Sequence, residues 1–141
     1  EDVIEEFNYS EIYAPLDLNI GHCKISVAAL KSLLKKEDPE TWSNIRVATK
    51  YPNITKKFFA AKGIQTEIIK LSGSMELAPS LNMCRRIVDL VSTGQTLKVN
   101  GLIEVEEIMK IQSKLIINRS AYKTEMLKIK EIISEFEKVI E

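Results

Sequence analysis

The stretch that decides the fold runs from position 87 to position 97 and reads Ile87-Val88-Asp89-Leu90-Val91-Ser92-Thr93-Gly94-Gln95-Thr96-Leu97. Its first five residues form an apolar run with one carboxylate, which is typical of a buried strand that ends at a polar edge. The loop that follows is rich in hydroxyl groups, and its backbone N–H groups can converge on an anion. Gly94 permits a positive φ and a close approach of the backbone to a phosphate. We therefore predict a sugar-phosphate loop, with Asp89 accepting hydrogen bonds from ribose hydroxyls. An ordinary strand-to-helix turn has the same composition and is the alternative.

Upstream of this stretch, strands and helices alternate. Strands are predicted at residues 23–30, 44–49, 64–71 and 87–91. One helix is predicted between them with Asn53 as its N-cap and Gly63 as its C′ residue, and a second from Met75 towards Arg86. This alternation predicts an α/β fold in which the strands pair in parallel and helices cover the faces of the sheet.

The two ends of the chain differ from this central part. Residues 1–17 hold six acidic residues and no basic one, and we predict a helix end followed by a turn. Residues 102–118 are predicted to be mostly strand. The final segment is predicted to be an amphipathic helix with ion pairs Glu125–Lys128 and Glu135–Lys138. Its apolar stripe either packs on its own domain or binds a partner; it consists of Met126, Ile129, Ile132, Ile133, Phe136, Val139 and Ile140.

Composition excludes several classes of protein. The 141 residues include 20 basic and 20 acidic residues, so no charge excess favours nucleic acid or an anionic membrane. No apolar stretch approaches the ~20 residues that span a bilayer, and no secretory signal is recognisable. Cys23 and Cys84 have neither CxxC nor metal-site spacing, so we predict reduced, small buried residues in a cytoplasmic protein. No protein metal ligand is predicted.

Longer segments around the loop carry a family resemblance. Three further segments accompany residues 76–97: Arg46-Val47-Ala48-Thr49-Lys50-Tyr51-Pro52-Asn53, Glu67-Ile68-Ile69-Lys70-Leu71-Ser72-Gly73-Ser74 and Asn100-Gly101-Leu102-Ile103-Glu104. Together they resemble ATP phosphoribosyltransferase over residues 16–119. The family pattern has Gly at the position of Asn82 and a small residue at that of Cys84. Asn tolerates a left-handed backbone and Cys is small and apolar, so both departures are compatible with the resemblance.

The resemblance implies a two-domain architecture like that of periplasmic binding proteins. Residues 1–24 would be a remnant of the first domain and the hinge entry, residues 25–104 the second domain, and residues 105–141 a return strand and the last helix of the first domain. The family has a Lys-Gly-Arg motif in a segment that would precede Glu1, so we expect the chain to be part of a longer protein. It looks like the short form, which is oligomeric and works with a regulatory subunit resembling histidyl-tRNA synthetase.

The resemblance also implies a reaction, in which N1 of ATP joins C1 of phosphoribosyl pyrophosphate (PRPP) and pyrophosphate leaves with Mg²⁺ bound to the substrate. Positive charge builds on the ribose, so catalysis is mostly positioning and electrostatic stabilisation, without a protein nucleophile. Asp89 is the catalytic candidate and faces the ribose hydroxyls. The 5′-phosphate would be held by Ser92, Thr93, Gly94, Gln95 and Thr96.

Three more residues are candidate substrate ligands. Glu76 either orients the loop and the substrate–Mg²⁺ assembly or simply stabilises a helix N-terminus. Thr49 and Lys50 end a strand at the expected ligand edge of the sheet, where Lys50 either faces a phosphate or is solvated. Outside the site we place His22, as a structural or surface residue, and Arg85 and Arg86, as a solvated helix end. The aromatic residues Trp42, Phe58 and Phe59 are expected in the core rather than in a base-stacking site.

Three functions remain open at this point. The leading one is the catalytic chain of ATP phosphoribosyltransferase. The second is a module that binds a sugar phosphate without chemistry, because no Lys-Gly-Arg motif is present. The third is a structural or interaction fragment whose loop lacks its partner domain.

Overall fold

The computed structural model describes residues 1–8 and 10–140. Tyr9 and Glu141 fall in the first and last predicted segments and lie outside the described residues. The chain divides into two compact units, one of Glu1–His22 with Ile111–Glu141 and one of Cys23–Lys110. In chain order the elements are α1 (Asp2–Phe7), β1 (Ile12–Asp17), β2 (Cys23–Leu30), α2 (Lys31–Leu34), β3 (Asn44–Thr49), α3 (Pro52–Ala61), β4 (Gln65–Lys70), β5 (Arg86–Val91), α4 (Gln95–Val99), β6 (Leu102–Ile111), β7 (Lys114–Asn118), α5 (Arg119–Thr124) and α6 (Met126–Ile140).

The larger unit is built on a five-stranded sheet in the order β4-β3-β5-β2-β6. The predicted strands and the α/β class are confirmed. Strand β3 pairs in parallel with β4 and β5, as predicted, but β2 pairs antiparallel with β5. The strand–helix alternation that implies parallel crossovers begins only after β2, so nothing in the sequence of β2 fixes its direction.

The segment that precedes β5 differs from its prediction. Instead of a helix from Met75 towards Arg86, the structure has a 3-10 turn at Met75–Leu77 and then a series of turns. Asn82 adopts a left-handed backbone with φ of 58°, which a continuous helix does not allow. The turns are held by packing instead, because Met75, Ala78 and Cys84 are buried against Ile87.

Helix α3 is confirmed, although its start differs. Tyr51 is the N-cap and Pro52 occupies the first turn, so Pro52 begins the helix and Asn53 lies inside it. The missing N–H of proline costs nothing there, because the first N–H groups of a helix have no intrahelical partner. Gly63 follows the helix with φ of 74°, as predicted for a C′ glycine.

The smaller unit contains a strand that the sequence analysis missed. Ile12–Asp17 was predicted to be a turn but forms β1, which pairs antiparallel with β7. The pairing register shifts between Tyr13 and Leu16, around Pro15, and an irregularity of this kind accommodates a residue without an N–H. The turn was predicted from Ala14-Pro15-Leu16-Asp17, and the sequence alone does not show the pairing with β7 that makes this segment a strand.

The C-terminal helix α6 is confirmed, as are its two ion pairs, Glu125–Lys128 at 3.4 Å and Glu135–Lys138 at 3.3 Å. None of its described residues is buried, and Val139 is 84% exposed. Within the same unit, Phe136 and Ile140 line an apolar cavity of about 240 Å³ with Leu18 and Ile20. The choice between an intramolecular and a partner contact for this stripe therefore stays open. Among the residues described, no helix has the length and apolar character needed to cross a membrane.

Candidate functional site

One face of the larger sheet presents the candidate site. Ile87 and Val91 of β5 pack on this face with Ala28, Ala48 and Leu97. Because side chains alternate along a strand, Asp89 lies on the same face as Ile87 and Val91. The carboxyl end of β5 leads directly into residues 92–94 and then into α4, so the predicted loop lies at this end of the sheet. This is where open α/β sheets collect ligands.

The predicted loop lies at the protein surface and leads into α4. Gly94 is the N-cap of α4 with φ of 79° and ψ of 0°. The carbonyl of Gly94 accepts a hydrogen bond from Lys98 N at 3.1 Å, and Thr93 Oγ1 accepts one from Gln95 N at 3.4 Å. Ser92, Thr93, Gln95 and Thr96 are all exposed. Their hydroxyl and amide groups can therefore reach a ligand without a rearrangement of the core.

Gly94 gives a stability prediction. A Cβ at Gly94 would meet no atom within 4 Å, so its positive φ is the only steric reason for glycine. We expect Gly94→Ala to lower the free energy of unfolding by about 1 kcal/mol, because a left-handed backbone is costly for alanine. Urea unfolding measures this change. Gly73 is the matched control, since its Cβ position is also open and its φ is not left-handed. Equal losses from Gly94→Ala and Gly73→Ala would contradict the account.

Asp89 combines burial with nearby charges. Burial raises the pKa of the Asp89 carboxyl, the Leu90 N–H lowers it, the Glu76 carboxylate raises it, and the Lys50 ammonium lowers it. The hydrogen bond from Leu90 N to Asp89 Oδ1 is 2.8 Å long. Glu76 and Lys50 therefore both lie within electrostatic range of Asp89.

Glu76 and Lys50 come from different elements beside β5. Glu76 lies in the 3-10 turn Met75–Leu77, where it is half-buried. Lys50 follows β3 and is exposed, with its Nζ 6.0 Å from the centre of the Tyr51 ring. Lys50 is thus accessible to a ligand, while Glu76 is held close to the strand.

Thr49 differs from the other candidates because its side chain is fully buried. Its Oγ1 accepts hydrogen bonds from Tyr51 N at 2.9 Å and from Thr55 Oγ1 at 3.4 Å. Ala48 faces the site, so the alternation along β3 turns Thr49 towards the opposite face. The structure does not bring the Thr49 hydroxyl together with the other candidates; it secures the turn from β3 into α3.

Three residues on the site face were missed by the sequence analysis. Ser26 of β2 lies directly opposite Asp89, and cross-strand partners share a face. Ser26 Oγ donates to Glu104 Oε1 at 3.4 Å, and Lys24 Nζ is 2.7 Å from the same oxygen. The sequence showed that Lys24 and Ser26 share one face of β2. It did not show the antiparallel register that places them beside Asp89.

Among the residues that the structure describes, no metal-ligand cluster accompanies this site. Among residues 1–8 and 10–140, no group of three or more His, Cys, Asp or Glu side chains is arranged to hold a metal ion. Asp89 and Glu76 are two carboxylates close enough to influence one another. Mg²⁺ is usually bound through one or two carboxylates together with substrate phosphates, so this pair fits a metal that arrives with its substrate.

The remaining singled-out residues lie outside this face. His22 is exposed and its Nε2 is 2.8 Å from Asn19 Oδ1. Trp42 and Phe59 are buried, as expected for core residues. The prediction that Arg86 belongs to a solvated helix end is wrong. Arg86 begins β5, is only 8% exposed and pairs with Glu37 at 2.8 Å, because the predicted helix gives way to turns and a strand.

The sheet and its loop define an α/β protein whose candidate site residues lie at the carboxyl ends of its strands. A solved periplasmic binding protein of an ABC transporter from Brucella ovis, with glutathione bound, shares this fold. It has a TM-score of 0.56 at 9% identity, over 77% of this chain and 37% of that one. The predicted periplasmic-binding-protein-like architecture is thereby confirmed.

The chain belongs to the ATP phosphoribosyltransferase family, because the family model described as "HisG: ATP phosphoribosyltransferase" matches residues 1–138. An ATP phosphoribosyltransferase from Rhizorhabdus wittichii is 55% identical over 99% of this chain and 63% of its own length. A solved "ATP phosphoribosyl transferase (HisG:HisZ) complex" from Thermotoga maritima matches with a TM-score of 0.85 and 33% identity. That match covers 99% of this chain and 66% of the solved one. The chain therefore spans less than two thirds of the length of these relatives.

Proposed function

We propose that this chain is the phosphoribosyl-binding part of an ATP phosphoribosyltransferase. This enzyme joins N1 of ATP to C1 of PRPP and releases pyrophosphate, the first step of histidine biosynthesis. The observation that carries the proposal is the loop of residues 92–96 at the carboxyl end of β5, beside the partly buried carboxylate of Asp89. Membership of the family supports it.

The loop is proposed to hold the 5′-phosphate. The exposed hydroxyls of Ser92, Thr93 and Thr96 donate hydrogen bonds to phosphate oxygens, together with backbone N–H groups of the first turn of α4. Gly94 and Gln95 contribute backbone at the centre of this turn. Such contacts fix the ribose in one orientation, so that C1 is presented to the incoming base.

Asp89 is proposed to accept hydrogen bonds from the ribose hydroxyls. Its negative charge also stabilises the positive charge that builds on the ribose as pyrophosphate leaves. Burial makes this carboxylate more effective, because a charge acts more strongly where water is displaced. Thr49 supports the site from the opposite face by fixing the turn that presents Lys50. Lys50 would then face a phosphate of the substrate.

Mg²⁺ is proposed to arrive with PRPP, and Glu76 and Asp89 are the carboxylates that would hold this assembly. When bound, the ion neutralises the charge that develops on the leaving pyrophosphate. Glu76 keeps the assembly close to β5 because the turn that carries it packs on that strand.

The protein as a whole is proposed to be a cytoplasmic oligomer that uses ATP and works with a regulatory subunit. The solved Thermotoga maritima relative is titled as a HisG:HisZ complex, which supports a partner of this kind. The proposed domain assignment of residues 1–24, 25–104 and 105–141 stays a prediction. The second function, a sugar-phosphate-binding module without chemistry, is favoured by one observation: the groups described above lie on a single unit of the chain.

Isothermal titration calorimetry with PRPP and Mg²⁺ tests the proposal. We expect saturable binding to the chain, weakened about tenfold by Thr96→Ala, because one hydrogen bond to a charged phosphate contributes roughly 1.5–3 kcal/mol. Thr124→Ala is the matched control, since Thr124 lies in α5 of the smaller unit. No binding by a folded chain, or equal weakening by both variants, would count against the proposal.

A further inference from the structure

A polar cavity lies at the amino end of β5, opposite the end that leads into the loop of residues 92–96. It measures about 570 Å³ and is lined by Asn44, Arg46, Asn82, Arg85 and Arg86, with Glu67 as its one acidic side chain. Arg86 begins β5 and Val91 ends it. The length of this strand, roughly 17 Å, separates the cavity from the loop of residues 92–96, called the phosphoribosyl loop below. The volume is in the range of small-molecule sites, about 300–1,000 Å³.

Arg86 is the unusual member of this lining. Arg86 is more than nine-tenths buried, and its guanidinium carbon lies 4.2 Å from the centre of the Trp42 ring. One of its nitrogens pairs with Glu37, whose side chain is 43% exposed. Its Nε–H has no hydrogen-bond partner among the described residues.

The other two arginines converge on the same place. Burial lowers the pKa of the Arg86 guanidinium, Glu37 opposes this, and the positive charge of Arg85 lowers that pKa further. Burial raises the pKa of the Cys84 thiol, whereas the charges of both Arg46 and Arg86 lower it. Arg46 has a carboxylate partner, Glu67 at 3.3 Å, but both side chains are more than half exposed and the pair is weak. Three positive charges thus line one depression; Arg46 is paired with exposed Glu67 and Arg86 with Glu37.

We propose that this arginine cavity, defined by Arg46, Arg85, Arg86, Asn44 and Asn82, binds the phosphate group of a small organic phosphate as a site separate from the phosphoribosyl loop. A phosphate offers three acceptor oxygens and up to two negative charges, and guanidinium groups bind it through paired, charge-assisted hydrogen bonds. The side-chain amides of Asn44 and Asn82 add neutral donors at the rim. Because the cavity lies at the amino end of β5, its occupant would be distinct from the ligand of the loop at residues 92–96.

The test is an NMR titration of the ¹⁵N-labelled chain with inorganic phosphate. The Arg86 Nε–H resonance and the Asn82 side-chain amide should shift saturably, and the Gly94 amide reports the loop separately. Arg85→Gln removes an exposed arginine. The phosphate affinity obtained from the Arg86 Nε–H shift should fall about tenfold, as expected for one lost charge-assisted hydrogen bond. Lys57→Gln is the charge-matched control, because Lys57 is exposed on α3 and does not line the cavity.

The outcomes separate this proposal from the proposed function. Thr96→Ala should weaken the Gly94 response and leave the Arg86 response unchanged. A shift of Gly94 alone would overturn the arginine cavity and leave the loop intact. Equal weakening by Arg85→Gln and Lys57→Gln would also overturn it, since diffuse charge would then explain the binding. In a parallel titration, acetate should bind more weakly than phosphate; equal or tighter acetate binding would overturn the assignment to a phosphate group.

Discussion

Asp89→Asn is expected to weaken PRPP binding by about ten- to a hundredfold, because hydrogen bonds to a charged acceptor contribute roughly 1.5–3 kcal/mol. The same substitution should raise the stability of the chain at neutral pH. The Asn amide keeps an oxygen for the Leu90 N–H, while the partly buried charge is removed. Calorimetry with PRPP and urea unfolding of the same variant measure the two effects.

The stability effect has a defined pH dependence. Burial raises the pKa of Asp89 in the folded chain above its ordinary value of 3.8. A raised pKa means that the folded state favours the protonated form of Asp89. The stabilising contribution of this protonated carboxyl is complete below pH 3.8 and is lost as the pH rises through the pKa of the folded state. The advantage of Asn should therefore be present at neutral pH and disappear in acid.

Glu107→Gln provides the control for Asp89→Asn, because Glu107 is an exposed carboxylate on β6. It removes the same charge and should leave both PRPP affinity and the unfolding midpoint nearly unchanged. A loss of stability in Asp89→Asn at neutral pH, or a loss of affinity in both variants, would contradict the role assigned to Asp89.

Thr49→Val should lower the free energy of unfolding by about 2 kcal/mol, because it leaves a buried N–H without its acceptor. The N–H of Tyr51 donates to the Thr49 hydroxyl at 2.9 Å, and valine keeps the volume but not the oxygen. Urea unfolding measures the loss, and faster hydrogen exchange at the Tyr51 amide should accompany it.

Thr49→Ser keeps the hydroxyl and removes only a methyl group, at a cost of about 1 kcal/mol. If Thr49→Val were as mild as Thr49→Ser, or left Tyr51 exchange unchanged, the hydroxyl would not be what secures the turn into α3.

The sequence predicted the strands of the larger unit, the final helix and the loop after β5, because each has a strong local pattern. Alternating or continuous apolar residues mark β3 and β5, and small polar residues mark the loop between Val91 and Gln95. The resemblance added the family and the prediction that Asp89 is catalytic. These features depend on residues that are close together in the chain.

The features that the sequence missed depend on contacts between distant residues. Strand β1 exists because β7 supplies its hydrogen bonds, and the antiparallel direction of β2 sets Ser26 opposite Asp89. Burial of Arg86 follows from a stack on Trp42 and a pair with Glu37, 49 residues away. Propensity carries no information about such pairings, so the helix predicted from Met75 towards Arg86 was wrong for the same reason.

A crystal structure of this chain with PRPP and Mg²⁺ tests the central claim most directly. The account predicts the 5′-phosphate within hydrogen-bond distance of the backbone and hydroxyl groups of residues 92–96, with a ribose hydroxyl on the Asp89 carboxylate. A 5′-phosphate bound elsewhere, including in the arginine cavity, with residues 92–96 free of ligand, would contradict it.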